Sequence, residues 1–278
     1  MKTITVEKIG KKINVTIELP ASKSISNRAL IIQSLCKRKF KINNLSEAGD
    51  SVILKKILEK IKKGKENTFN VGDGGTTYRF ITAYLALIPG RWFLGGSERM
   101  HERPIAPLVD TLKQLGAIIN YIDKEGCPPL EIIGGTLKGG KVSIDASISS
   151  QFISSLLMIA PMLEAGLELT MNSLPVSSPY IKMTLKMLEY FGIKHTMVDN
   201  TITILPQKYK LKEITIEPDW TAASYWYEIL AFNEDGNIFF PGLKQDSIQG
   251  DAVVETIYKN MGVETIYEIG RASCRERV

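Results

Sequence analysis

Pro20-Ala-Ser-Lys-Ser-Ile-Ser-Asn-Arg-Ala-Leu-Ile-Ile-Gln-Ser-Leu35 is the stretch on which the reading of this 278-residue chain turns. A strand-like run, Ile13 to Leu19, feeds into Pro20, and a helix is expected to begin at Ser22 or Ser24. Ile25, Ala29, Ile32 and Cys36 recur at helical spacing and make one buried face. Lys23, Ser24 and Arg28 lie in or beside the first turn, with Ser24 and Arg28 one helical step apart. Cations and hydroxyls at the positive end of a helix dipole form an anion site. The same residues also suit a capped amphipathic helix whose cations are merely solvated.

Working outward, a unit recurs in which an amphipathic helix ends in glycine and a β-prone run follows. It reads Leu108 to Gly116 then Ala117 to Ile122, Met183 to Gly192 then Ile193 to Val198, and Val253 to Gly262 then Val263 to Tyr267. A weaker copy runs from Val52 to Gly64. Glycine there is the expected helix C-cap, where a positive φ is needed. Further strands are expected over 129–133, 141–144, 201–205 and 213–217, and helices from near Thr76, Ser150 and Thr221. The spacing of the strong glycines, 192 − 116 = 76 and 262 − 192 = 70, is too long for a solenoid repeat and predicts a compact α/β unit used several times. A hinge is expected near Pro241-Gly242, opposite the Leu19-Pro20 junction. The division is therefore a domain over 20–242 and a second assembled from 1–19 and 243–267.

Four more helix entrances share the chemistry of the first. Val71-Gly-Asp-Gly-Gly-Thr-Thr-Tyr-Arg79 is a glycine-rich turn where backbone N–H groups approach an anion closely, with Arg79 in the first turn. Met100-His-Glu-Arg-Pro-Ile105 presents Arg103 just before Pro104, which is expected at the N1 position of a helix. Ser147-Ile-Ser-Ser-Gln-Phe152 offers Ser149, Ser150 and Gln151, more polar groups than one N-cap requires. Ser177-Ser-Pro-Tyr180 repeats that logic, with Pro179 expected at N1. Read singly, each fragment is also an ordinary turn, cap or surface ion pair. Read together, convergent entrances make a phosphate- and carboxylate-binding cleft.

Composition bounds the rest. Hydrophobic residues make up 44% and charged residues 23%, the balance of a globular protein rather than a disordered or fibrous one. A net charge of +5 favours small anions slightly and is too dispersed to argue for nucleic acid. The basic run Lys55 to Lys65 is expected to be the solvated face of a helix. No run approaches a membrane span, and Met1 leads directly into the strand-like Thr3 to Val6 without a targeting segment. Cys36, Cys127 and Cys274 show no metal-ligand or redox spacing, and His101 and His195 are far apart, so neither a zinc site nor a Cys-His nucleophile is indicated. A reducing, cytoplasmic setting fits. The last eleven residues, 268–278, break the preceding pattern and read like the translation of a sequencing adapter. The natural chain is thus expected to be cut off near Tyr267, with Cys274 foreign to it; the other reading is an ordinary polar tail.

The order and wording of these motifs resemble the 3-phosphoshikimate 1-carboxyvinyltransferase (EPSP synthase) family from about Thr3 to Tyr267. The pieces that carry the resemblance are Ser22 to Ala29, Gly74 to Arg79, Glu102 to Ile105, Ser149 to Phe152, Ser177 to Tyr180 and Gln249-Gly-Asp251. The resemblance implies inside-out α/β barrel-like domains built of repeated βαβαββ units. It implies transfer of the enolpyruvyl group of phosphoenolpyruvate to the 5-hydroxyl of shikimate 3-phosphate, with no metal or organic cofactor, in a monomer. By motif position, Lys23 would touch both substrates and be the catalytic group. Ser24 and Arg28 would hold the shikimate moiety, and Ser149, Ser150 and Ser177 its phosphate. Gly75, Arg103 and Gln151 would line the phosphoenolpyruvate site, with Tyr180 and Asp251 in supporting places. Two departures, the run Gly72-Asp-Gly-Gly75 and Phe80 after the helix arginine, bear on the shape of that pocket. The family's principal acid/base carboxylates have no counterpart in this chain, which is therefore expected to be inactive by itself. Two alternatives stand beside this reading: the sister UDP-N-acetylglucosamine enolpyruvyl transferase, which would want a reactive loop cysteine that Cys127 does not match, and a non-catalytic anion-binding α/β-repeat domain.

Overall fold

The structure, a computed structural model, describes residues 12–174, 177–233, 235–268 and 271–276. The expected strand Thr3 to Val6 lies outside them. The chain divides into two compact units, Ala21–Ile216 and the pair of segments Met1–Pro20 and Glu217–Val278. The first junction follows Pro20, one residue from the expected Leu19-Pro20 break. The second falls at Ile216, which is 242 − 216 = 26 residues before the expected hinge at Gly242. The reason is the pairing of the segment that follows, described below.

The larger unit contains α1 (Lys23–Leu35), β2 (Ile42–Asn43), α2 (Gly49–Lys63), β3 (Thr68–Asn70), α3 (Gly75–Leu87), β4 (Gly90–Gly95), α4 (Glu98–His101), α5 (Ala106–Gln114), β5 (Ile118–Tyr121) and β6 (Leu130–Gly134). It continues with β7 (Gly140–Ile144), α6 (Ser150–Ile159), β8 (Leu167–Met171), α7 (Ser178–Tyr190), β9 (Thr196–Val198), β10 (Thr201–Ile204) and β11 (Ile214–Thr215). Two four-stranded sheets have the same strand order, β3-β4-β6-β5 and β7-β8-β10-β9. In each the first pair is parallel and the rest antiparallel. Both are therefore βαβαββ repeats. A third is assembled from the two ends of the unit: β11 pairs in parallel with β2, between α1 and α2.

The helix-ending glycines Gly64, Gly116, Gly192 and Gly262 all have positive φ, so the caps are as the sequence expects. Helices α3 and α6, rich in apolar residues on every face, are buried almost all round. They pack on each other, and Phe152, Ile153, Leu156 and Leu157 are fully buried. In α2 the apolar Leu54, Ile57, Leu58 and Ile61 face inward and the lysines face solvent, so the basic run is a solvated face. The sheets alternate buried and exposed residues, which leaves one face of each to solvent.

The smaller unit holds β1 (Ile13–Thr16), α8 (Trp220–Ala231), β12 (Gly236–Pro241), α9 (Val254–Lys259), β13 (Val263–Glu268) and β14 (Arg271–Glu276). Its strand order, β1-β12-β14-β13, repeats the same topology, with the whole larger unit inserted between β1 and α8. Because β12 pairs with β1 along Ile13 to Thr16, α8 and β12 belong to this unit, which moves the boundary to Ile216. Trp220, Tyr227, Ile238 and Phe240 form its core. Gln249 staples it, donating to Glu217 Oε1 and the Pro218 carbonyl at 2.8 Å each and accepting from the Trp220 N–H at 3.2 Å. The segment expected to be foreign supplies β14, by backbone pairing that either origin of the sequence permits.

Candidate functional site

The nine residues expected to touch substrate, Lys23, Ser24, Arg28, Gly75, Arg103, Ser149, Ser150, Gln151 and Ser177, fall in the larger unit. Five helix entrances there are tied side by side. The α1 and α2 entrances are latched by Ser51 Oγ donating to Asn27 Oδ1 at 2.7 Å. Thr77 at the start of α3 donates to the Asp50 carbonyl at 3.1 Å. Gln151 at the start of α6 donates to Thr76 Oγ1 at 3.0 Å. Arg28 reaches from α1 to Tyr180 in the first turn of α7. Helix N-termini each carry roughly half a positive charge, so five together bring about +2.5 to one place.

Side-chain cations add to that field. Lys23 is exposed at the start of α1, with Nζ 3.7 Å from Asp50 Oδ2. Above Gly75 two guanidiniums meet: a methyl group placed there would lie 2.5 Å from Arg79 Nη1 and 2.8 Å from Arg103 Cζ. Only glycine leaves room for both. Arg79 is buried, and its Nε and Nη1 have no hydrogen-bond partner among the described residues. Burial, and then the Arg103 charge, lower its pKa to about 10. Two like charges held together with unsatisfied donors are costly unless an anion lies between them.

Arg28 is placed differently. Its guanidinium is 2% exposed and makes four hydrogen bonds within the protein. Nε donates to Thr184 Oγ1 at 2.7 Å, and Nη2 to Ser154 Oγ at 3.0 Å and the Tyr180 carbonyl at 3.2 Å. Nη1 donates to the Ser24 carbonyl at 3.0 Å. The rings of Phe80 and Tyr180 lie 5.5 and 5.9 Å from it. Burial lowers its pKa to about 10, partly offset by Tyr180. Arg28 thus ties α1, α6 and α7 together, and Phe80 serves as its floor.

The neutral donors sit at the remaining entrances. Ser149 caps α6, its hydroxyl accepting from the Gln151 N–H at 3.2 Å; Ser150 is buried beside it. Ser177 stands at the N-cap of α7 without using its side chain as a cap. Pro179 is the second residue of that helix, not the first. Pro104 does not open a helix either: α5 begins at Ala106, and Arg103 closes the turn after α4 through its N–H to the Met100 carbonyl at 3.1 Å. Proline is tolerated in both helix and turn, so its presence alone does not choose. Asp251 lies in the smaller unit, accepting from Thr221 Oγ1.

Sequence reasoning did not single out Asp50, Thr76, Ser154, Thr184 or Asp145. Asp145 Oδ1 accepts from the Ser147 N–H at 2.9 Å, Ser147 Oγ at 2.7 Å and Ser173 Oγ at 2.5 Å, which fixes the loop leading to Ser149. These bonds hold its pKa below the usual carboxylate range. Asp50, in the first turn of α2, is a carboxylate and so falls outside the hydroxyls, glycines and cations sought at helix entrances; the mid-helix Ser154 and Thr184 carried no signal. Among the described residues, no group of three or more His, Cys, Asp or Glu side chains is placed to hold a metal ion, and no helix is long and apolar enough to cross a membrane.

The family model for EPSP synthase (3-phosphoshikimate 1-carboxyvinyltransferase) matches residues 7–276. The chain belongs to the EPSP synthase family. A 3-phosphoshikimate 1-carboxyvinyltransferase of Bacteroides fragilis (strain YCH46) is 44% identical over 257 residues, covering 92% of this chain and 62% of the relative. One from Buchnera aphidicola subsp. Cinara cedri is 38% identical, covering 98% and 67%. The solved EPSP synthase of Acinetobacter baumannii shares the fold, with a TM-score of 0.79 at 19% identity over 96% of this chain and 65% of that one. The chain therefore spans about two thirds of the length of the EPSP synthases it matches, and the split repeats of both units are the inside-out α/β architecture of that family.

Proposed function

We propose that the larger unit carries the shikimate 3-phosphate half-site and one wall of the phosphoenolpyruvate site of an enolpyruvyl transferase. The observation that carries this reading is the pair Arg79 and Arg103 meeting over Gly75, with two buried Arg79 N–H groups unpartnered. Membership in the EPSP synthase family supports the choice of substrates. In the reaction, C3 of phosphoenolpyruvate takes a proton and the oxygen of the 5-hydroxyl of shikimate 3-phosphate adds to C2, losing its own proton. The resulting methyl group then loses a proton as the C2–O bond to phosphate breaks, leaving the enol ether and free phosphate. Both substrates are polyanions, and desolvated cations favour them more than exposed ones do. Arg79, Arg103 and the amides of the α3 entrance would hold the phosphate and carboxylate of phosphoenolpyruvate, with Gln151 at the rim. Ser149, Ser150 and Ser177 would bind the 3-phosphate through neutral hydrogen bonds. Lys23 would touch both substrates, and its ammonium would stabilise charge on the transferring group. Arg28 would act as a positioning residue through the entrances it joins.

The same reading makes the protein a cytoplasmic monomer acting on small anions; three cysteines at unrelated spacings support the reducing setting. Calorimetric titration of shikimate 3-phosphate into the purified chain tests the half-site. Saturable one-to-one binding is expected, with no heat from UDP-N-acetylglucosamine. A folded protein silent to shikimate 3-phosphate, or one preferring the nucleotide sugar, would overturn the proposal.

A further inference from the structure

Because their entrances meet, α1, α2 and α3 run side by side and their C-terminal halves meet at the other end of the bundle. There they enclose a cavity of about 230 Å³. Its apolar surface comes from Leu30 of α1, Leu58 and Ile61 of α2, Tyr84 of α3 and Ile88, the residue that follows α3. Its rim carries Lys37, Lys39, Lys55 and Lys62 against a single carboxylate, Glu59. None of these lysines is paired with a carboxylate among the described residues. Burial holds the walls neutral: it pushes the Cys36 thiol up to about 11 and the Tyr84 phenol up to about 12. A neighbouring cavity of about 320 Å³ shares Cys36 and Lys37 and adds Arg38 and Lys208 with no carboxylate.

Three helix C-termini oppose this charge. At roughly half a negative charge each they bring about −1.5, and Glu59 another −1. Four lysines outweigh that by about +1.5, so an anion is still favoured. The volume is just below the usual range for drug-sized ligands, which limits the occupant to about one ring. Apolar walls beneath a cationic rim match a ligand with an apolar body and one negative end.

We infer that this cavity binds a compact amphipathic carboxylate, its ring against Leu58, Ile61 and Ile88 and its carboxylate among Lys37, Lys39, Lys55 and Lys62. The site is separate from the one at the helix entrances and does not depend on its substrates.

The test is methyl NMR of the full chain with benzoate, and with the neutral isostere benzamide. Benzoate should shift the Leu58, Ile61 and Ile88 methyls saturably, with a Kd near or below about 1 mM. Benzamide should bind about tenfold more weakly. The double variant Lys55→Glu, Lys62→Glu, whose exposed positions leave the core intact, should lose a similar factor for benzoate alone. Equal binding of benzamide on the unaltered protein would overturn the inference without recourse to any variant. So would shifts that fail to saturate by about 10 mM, or that fall instead around Gly75 and Thr76.

Discussion

The first and second complete repeats of the larger unit have one topology and two chemistries. Both run strand, helix, strand, helix and hairpin, in the same strand order. At the first, glycine opens α3 and two guanidiniums close over it. At the second, Ser149 caps α6, and serines rather than cations stand at α6 and α7. The backbone supplies the same positive helix ends in both, so the side chains decide which anion each prefers. A guanidinium pair suits a ligand whose charge changes during reaction; hydroxyls suit a phosphate that is only held.

Breaking the cationic side should have the larger effect. Arg103→Ala removes a charged, two-pronged donor, with an expected loss of about 3 kcal/mol, more than a hundredfold in phosphoenolpyruvate Kd by calorimetry. Shikimate 3-phosphate binding should change far less. Equal losses for both ligands would erase the distinction between the repeats. Next comes Thr184→Val, which leaves a buried Arg28 donor unpaired. Denaturant unfolding should show a loss of about 2 kcal/mol, and an unchanged midpoint would remove Arg28 from its structural role. Ser149→Ala takes away a cap and a phosphate donor, at about 1 kcal/mol each in stability and in shikimate 3-phosphate binding.

The smallest effect is in pH. Arg79 is held down to about 10, well below the ordinary guanidinium value, so between the two the unfolded chain binds the extra proton and stability rises with pH above about 10. Binding to the protonated guanidinium runs the other way: phosphoenolpyruvate affinity is expected to be flat below pH about 10 and to fall above it. In Arg103→Ala the fall should move to higher pH, because one cause of the lowering is gone. A titration profile unmoved by that change would contradict the pairing over Gly75.

The helix-ending glycines and the strong amphipathic runs made the repeats legible in sequence, because caps and periodicity are local. The split repeats were not. Strands β2 and β11 are two residues each and pair across 172 positions, which no local pattern reports. The boundary at Ile216 lies away from the expected hinge for the same reason: the sequence signals a helix near Thr221 and a turn at Pro241-Gly242, and only the pairing of Ile238 with Val15 shows which unit owns the segment between them. At the site, residue types raised the expectation of anions at helix entrances, and Lys23 and Gln151 lie at such entrances while Arg103 reaches the one at Gly75. They did not show that Arg28 would be drawn inward by Thr184 and Ser154, since a mid-helix hydroxyl carries no signal until its partner is known. Asp145, Ser147 and Ser173 likewise meet only because β7 and β8 lie side by side.

The most direct measurement of the central claim is an amide NMR map of the chain titrated with shikimate 3-phosphate. The account predicts saturable shifts at the entrances, at Lys23, Ser24, Ser149, Ser150, Gln151 and Ser177, with Gly140 and Leu167, paired at the opposite end of β7 and β8, unmoved. Shifts confined to the lysine face of α2, or none in a folded sample, would contradict it.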